Sequence, residues 1–162
     1  MTINSEPKSL IMYGHELRAI VANDVRLNQQ FLGVFAANEL PYQMPFGSLA
    51  IVNCCNRENP GRHWVVIHQA TSNRLEMFDS YGLSPTMYNL ENKLPVSNVV
   101  VYNTKQLQSI YSDVCGYYCL YYCYFKSRGY AMGDIVSIFS NDYTSNDMYV
   151  YNSVLHLFNM RR

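Results

Sequence analysis

Residues 115–129 read CGYYCLYYCYFKSRG. The aromatic and cysteine content of this stretch is compatible with a helix, and Gly129 is placed to cap its C-terminus. Cys115, Cys119 and Cys123 recur at helix spacing, which is not the pattern of a disulfide framework. Upstream lie strand signals. SLAIVNCC (48–55) and HWVVIHQA (63–70) are apolar runs separated by a turn-like Asn56–Gly61 segment. RLEMFDSYG (74–82) alternates apolar and polar residues and follows a hairpin-like TSN (71–73), and SNVVVYN (97–103) predicts a short buried strand. Helices are expected at 15–27, at 84–93 behind Ser84 and Pro85, at 132–140 and at 146–160. The class is therefore α+β: a small, mostly antiparallel central sheet flanked by helices.

The chain has 162 residues, enough for one domain with a sizeable core. No repeat or low-complexity linker divides it, so 1–162 is read as a single unit with a loose N-terminal arm at 1–13. Twelve basic and twelve acidic residues give zero formal charge. A domain built to grip a phosphate backbone carries a basic excess; Arg128, Arg161 and Arg162 leave room only for weak nucleic-acid contact. No apolar run approaches the roughly 20 residues of a membrane helix, and Met1 to Ser9 lacks the apolar core of a signal peptide. A reducing, intracellular setting is expected, with free thiols at Cys54, Cys55, Cys115, Cys119 and Cys123. The 15 tyrosines supply apolar bulk with a polar tip, suited to a core edge or a groove.

Acyl transfer by cysteine needs a thiolate, a base, a group that orients the base, and donors for the oxyanion. Cys115 stands where a loop meets the predicted helix, and the free N–H groups and dipole of a helix N-terminus favour a thiolate. Gly116 beside it admits a close approach of substrate backbone. Cys119 and Cys123 fall inside the helix and read as buried, inert thiols. Among His15, His63, His68 and His156, His63 begins a strand just after a turn, beside Trp64, where an imidazole can reach across a cleft. Pairing of 63–70 with 74–80 would bring Asp79 roughly opposite His63; Asp79 reads equally well as the first residue of a turn with Ser80, Tyr81 and Gly82. A neutral amide suits an oxyanion because it donates without quenching the thiolate, and spacing alone does not separate Gln106 from Gln108. A metal site is not expected, since Cys-x3-Cys-x3-Cys puts its thiols on one helix face, unlike the Cys-x2-Cys pairs of zinc sites. No phosphate loop of the Walker type is present.

The strings GRHW, FDSYG and Q-x6-CGYYC, in that order, resemble the adenovirus cysteine peptidase family and, more distantly, the peptidases that process small ubiquitin-like modifiers. ELRAIVAN (16–23), QFLGVF (30–35), LAIVN (49–53) and NRENPGRHW (56–64) extend the resemblance from about residue 15 to residue 128. It implies a permuted papain-like fold in which histidine precedes cysteine. It also implies a triad of His63, Asp79 and Cys115, with Gln108 rather than Gln106 joining the Cys115 N–H at the oxyanion, and Trp64 flanking the substrate groove with Gly116. The implied activity is a thiol endopeptidase cleaving viral or mobile-element structural precursors beside small residues such as Gly. It would act as a monomer in a virion or host-cell interior.

No cofactor is required by the sequence. Family members take an activating peptide or DNA, but the strand at 97–103 has no cysteine for a disulfide-linked activator, and the neutral chain weakens the case for DNA. An isopeptidase of ubiquitin-like modifiers, or a non-catalytic binding protein on the same fold, are the rival readings.

Overall fold

Five strands, β1 (Phe31–Phe35), β2 (Leu49–Asn53), β3 (Trp64–Thr71), β4 (Arg74–Phe78) and β5 (Val99–Tyr102), lie side by side in chain order in one sheet of a computed structural model that describes residues 9–59 and 63–161. Two helices precede them, α1 (Gly14–Ala22) and α2 (Val25–Gln30); three follow, α3 (Cys115–Lys126), α4 (Met132–Ser137) and α5 (Tyr143–Leu157). The α+β class holds, but the sheet is mixed rather than mostly antiparallel. β2 with β3 and β3 with β4 are antiparallel, whereas β1 with β2 and β4 with β5 are parallel. The β3–β4 turn is a tight hairpin. The parallel pairs are closed by the long segments 36–48 and 79–98, which give the chain room to return and run the same way.

Every residue of β2 is buried, so both faces of the sheet are covered. Strand alternation sorts the side chains: Leu49, Ile51, Val66 and Phe78 face the helical layer, while Ala50, Val52, Val65 and Ile67 pack in a second cluster with Met44 and Leu90. At the centre of the helical side is α3, buried without a break from Gly116 to Cys123. Its Tyr122 ring stacks on Phe78 at 4.3 Å, 9° from parallel.

Several local expectations give way to tertiary context. The single helix predicted for 15–27 is two, because Asp24 leaves helical geometry and accepts the Leu27 N–H at 2.8 Å as the N-cap of α2. The helix predicted for 84–93 shortens to a 3₁₀ turn at Pro85–Tyr88, stopped by Asn89 in the left-handed region at φ 54°. Strand β5 is exposed rather than buried, with Val99 at 49% and Tyr102 at 39%. A valine run signals a strand wherever it lies, and this one is the sheet's edge. QFLGVF (30–35), read only as part of a resemblance, contains β1.

Residues 9–13 are no loose arm. Met12 is buried, and its carbonyl accepts the Trp64 indole N–H at 2.9 Å. The predicted arm at 1–8, the end of the 56–61 turn and Arg162 lie outside the described residues.

Phe78→Ala is expected to destabilise the protein by about 3–5 kcal/mol, through lost transfer energy and the cavity left against Tyr122. Urea unfolding of the variant beside the wild type measures it.

Candidate active site

Three sheet-and-helix termini converge on one spot. His63 immediately precedes β3, Asp79 immediately follows β4, and Cys115 is the first residue of α3. The hairpin register is shifted from the sequence-based expectation. Val66 pairs with Phe78, which sets Asp79 beside Val65 and not opposite His63. The two side chains nevertheless meet, because both residues leave the sheet at the same end: His63 Nε2 lies 2.6 Å from Asp79 Oδ1. Cys115 stands close enough to the His63 side chain to help hold its pKa up. With Nε2 taken by Asp79, Nδ1 is the ring nitrogen left for another partner. The N–H groups of Cys115 and Gly116 open the first turn of α3, where no carbonyl of their own helix can receive them.

Asp79 is wholly buried; it both touches His63 and opens a turn. Its carbonyl accepts the Gly82 N–H at 2.9 Å, closing a turn. Its Oδ1 also accepts the Tyr81 N–H at 3.1 Å, and Oδ2 accepts the Leu83 N–H at 2.9 Å and the Tyr88 hydroxyl at 2.8 Å. Asn103, just beyond β5, grips the Asp79 peptide from outside: its Oδ1 accepts the Asp79 N–H at 2.9 Å and its Nδ2 donates to the Asp79 carbonyl at 2.6 Å. Gly82 is indispensable to this turn. It sits at φ +69°, and a Cβ there would lie 2.7 Å from the Lys105 carbonyl.

Burial works against charge on the His63 imidazole. The hydrogen bonds to Asp79 and to Cys115, and then the charges of both, outweigh it and hold the ring up at about 9. Two tyrosine rings flank it, Tyr81 at 4.6 Å and Tyr88 at 5.5 Å, both stacked. His68, five residues further along β3, behaves oppositely: burial, then nearby Lys126, push it down to about 4, with Glu76 a partial offset. Burial likewise pushes up the thiols of Cys54, Cys119 and Cys123. All five cysteines are unpaired.

Gln108 is wholly buried. Its Nε2 donates to the Ser112 carbonyl at 2.9 Å and, less closely, to Ser112 Oγ at 3.2 Å, while its Oε1 accepts the Ser80 hydroxyl at 2.6 Å. Gln106 lies on the same loop and donates to the Gln108 carbonyl at 2.9 Å. A cleft of about 910 Å³ opens beside Cys115, walled among others by Met12, Trp64, Tyr81 and Asp113. Trp64 borders this cleft. Gly116 is not on its wall: the close approach at Gly116 is made by Met12, 3.0 Å from where a Cβ would stand. His15 borders the same cleft.

Sequence reasoning did not find Tyr88, Asn103, Ser112 or Met12. Each acts through a loop contact that periodicity does not encode. The Asn in VVVYN, directly after a strand, was the one available signal, since asparagine there commonly bonds backbone.

Among the described residues, no group of three or more His, Cys, Asp or Glu side chains is placed to hold a metal ion. No helix among them is long and apolar enough to cross a membrane. No protein-family model matches the chain, and no curated protein matches it. Among solved structures the chain is similar to the central domain of the uncharacterized Lpg1148 protein from Legionella pneumophila, at 15% identity over 91% of this chain and 98% of that one, with a TM-score of 0.40.

His63 titrates higher in the folded protein than its ordinary value of 6.5. Its contribution to stability is therefore complete below about 6.5 and is lost as pH rises through about 9. NMR of the His63 ring should place its midpoint near 9, and Asp79→Asn should bring that midpoint down. Gly82→Ala should lower the melting temperature and slow alkylation of Cys115, because the shifted turn carries Asp79 away from the imidazole.

Proposed function

We propose that this chain is a cysteine endopeptidase that cleaves structural precursor proteins of a virus or mobile element through an acyl-enzyme on Cys115. The observation that carries the reading is the buried contact of 2.6 Å between His63 and Asp79, with Cys115, at a helix N-terminus, close enough to the same imidazole to raise its pKa. An imidazolium beside a sulfur favours the thiolate, and the N-terminus of α3 adds its dipole. The order His63, Asp79, Cys115 and the strings around each residue, which resemble the adenovirus peptidases, support the same assignment. On this reading the fold is the permuted papain-like one.

In the proposed reaction, Cys115 Sγ attacks the scissile carbonyl carbon. A C–S bond forms, and the carbonyl π pair moves to oxygen, where the Cys115 N–H and Gln108 Nε2 receive the charge. The imidazolium of His63 gives its proton to the leaving nitrogen as the C–N bond breaks, leaving a thioester and a free amine. Water then adds to the thioester carbonyl while His63 takes its proton. Collapse breaks the C–S bond, releases the acid and restores the thiolate–imidazolium pair. Asp79 holds the ring by Nε2 throughout, so that Nδ1 stays directed at sulfur and substrate. Trp64 and Tyr81 border the cleft with Cys115, and cleavage beside small residues such as Gly is what the resemblance to the adenovirus peptidases implies.

The purified protein should cut a virion or mobile-element proteome at a defined set of sites, read by mass spectrometry of new termini. Cys115→Ala should lower the rate at least about 10⁴-fold. Iodoacetamide below neutral pH should label Cys115 well ahead of the other four thiols. Cleavage by Cys115→Ala at the wild-type rate would end the assignment, and uniformly slow alkylation would favour a non-catalytic binding protein. Selective labelling of Cys115 by a ubiquitin-like modifier aldehyde would move the substrate class to isopeptide bonds.

A further inference from the structure

Ser80 stands between the two halves of the site. It follows Asp79 directly, is almost wholly buried, and its carbonyl accepts the N–H groups of Leu107 at 2.8 Å and Gln108 at 3.0 Å. Its hydroxyl is 2.6 Å from Gln108 Oε1. The direction of that bond follows from chemistry. The other end of the amide faces the Ser112 backbone carbonyl at 2.9 Å, and a carbonyl only accepts, so the atom facing it is nitrogen. The atom facing Ser80 is therefore the amide oxygen, and the Ser80 hydroxyl is the donor.

We infer that Ser80 is a positioning residue for the oxyanion site, fixing the Gln108 side chain so that its nitrogen, and not its oxygen, serves the reacting carbonyl. The inference rests on the peptidase reading above. An amide presents a donor at one end and an acceptor at the other, so an oxyanion is stabilised by one orientation and repelled by the other. One N–H of Gln108 is spent on the Ser112 carbonyl; the second faces only Ser112 Oγ at 3.2 Å and is the less firmly engaged. Ser80 thus ties together two elements the reaction uses at different moments. The turn that carries the carboxylate also locks the amide, through one residue's carbonyl and hydroxyl.

Ser80→Ala removes only the hydroxyl. The backbone bonds from Leu107 and Gln108 to the residue 80 carbonyl remain possible, and the Asp79–His63 contact is untouched. With a fluorogenic Gly-Gly-aminocoumarin peptide as probe, Ser80→Ala is expected to lower kcat about 10- to 100-fold, less than the full loss of an oxyanion donor, with KM within about twofold. Alkylation of Cys115 by iodoacetamide as a function of pH should stay as in the wild type, because displacement of iodide develops no oxyanion. Ser80→Thr, which keeps the hydroxyl, should recover most of the lost kcat. Thermal melts of each variant give the folded fraction by which rates are corrected.

Wild-type kcat in folded Ser80→Ala overturns the inference and leaves the peptidase reading standing. So does a loss of alkylation parallel to the loss of kcat, or a folded Ser80→Thr as slow as the alanine variant. If the wild-type protein cleaves neither this probe nor a precursor proteome, the peptidase reading falls and takes the role of Ser80 with it.

Discussion

A carboxylate with no exposed surface must have its lone pairs answered from within the protein, and that demand at Asp79 accounts for much of the loop structure around it. His63 Nε2, the N–H groups of Tyr81 and Leu83, and the Tyr88 hydroxyl all converge on its two oxygens. Supplying those donors dictates the chain path. A glycine at positive φ is needed at position 82 to fold the backbone back over the carboxylate, and a 3₁₀ turn brings Tyr88 within reach. Parallel pairing of β5 with β4 then delivers Asn103 to the Asp79 peptide. The long excursion between β4 and β5 is thus a scaffold for one buried charge as well as a crossover between parallel strands.

The other fixed member is α3. A helix buried continuously over two turns has no polar face to orient it, so its rotation is set by packing and by the few polar tips it carries inside. Tyr118 provides one such tip. Its hydroxyl donates to Asp147 on α5 at 2.9 Å and reaches the Leu107 carbonyl at 3.2 Å. Burial raises Asp147, while bonds from Ser112, Tyr118 and the Ser109 backbone pull the other way. These contacts tie α3, α5 and the loop 107–113 into one assembly, so Cys115 at the mouth of α3 and Gln108 on the loop hold a common frame. Tyr118 thus does double duty, its ring filling the core and its hydroxyl fixing the loop.

Strands β2, β3 and β4 were legible because their apolar runs are bounded by turn residues, and α3 because its aromatic and cysteine residues end at a capping glycine. Cys115 stands at the other end of that run, where the loop meets the helix. What escaped was set by distant partners. The break between α1 and α2 depends on Asp24, whose carboxylate also pairs with Arg128 at 2.8 Å, more than a hundred residues away in the chain. The exposure of β5 depends on strand order, which a run of valines does not carry. The hairpin reading puts Asp79 roughly opposite His63, whereas the ladder sets it beside Val65, two residues away. The contact survives because it is made beyond the strand ends, where side-chain reach and not the ladder decides. The polar segment around Met12 reads as a loose arm, whereas Met12 packs in the core, its carbonyl taking the Trp64 indole N–H and its side chain filling the notch at Gly116.

The balance at His63 explains why its neighbours are informative together and weak alone. Burial by itself would leave this imidazole neutral at physiological pH, as it leaves His68. The charged ring exists in the interior only because one side meets a carboxylate and the other a sulfur. The charge on His63 therefore depends on both neighbours at once. A buried histidine without the aspartate would lose a main support of its charge. Such a set is stable as a whole or rearranged as a whole. That is the physical reason an ordered His, Asp and Cys at three element ends argues for chemistry more strongly than the sum of three separate positions.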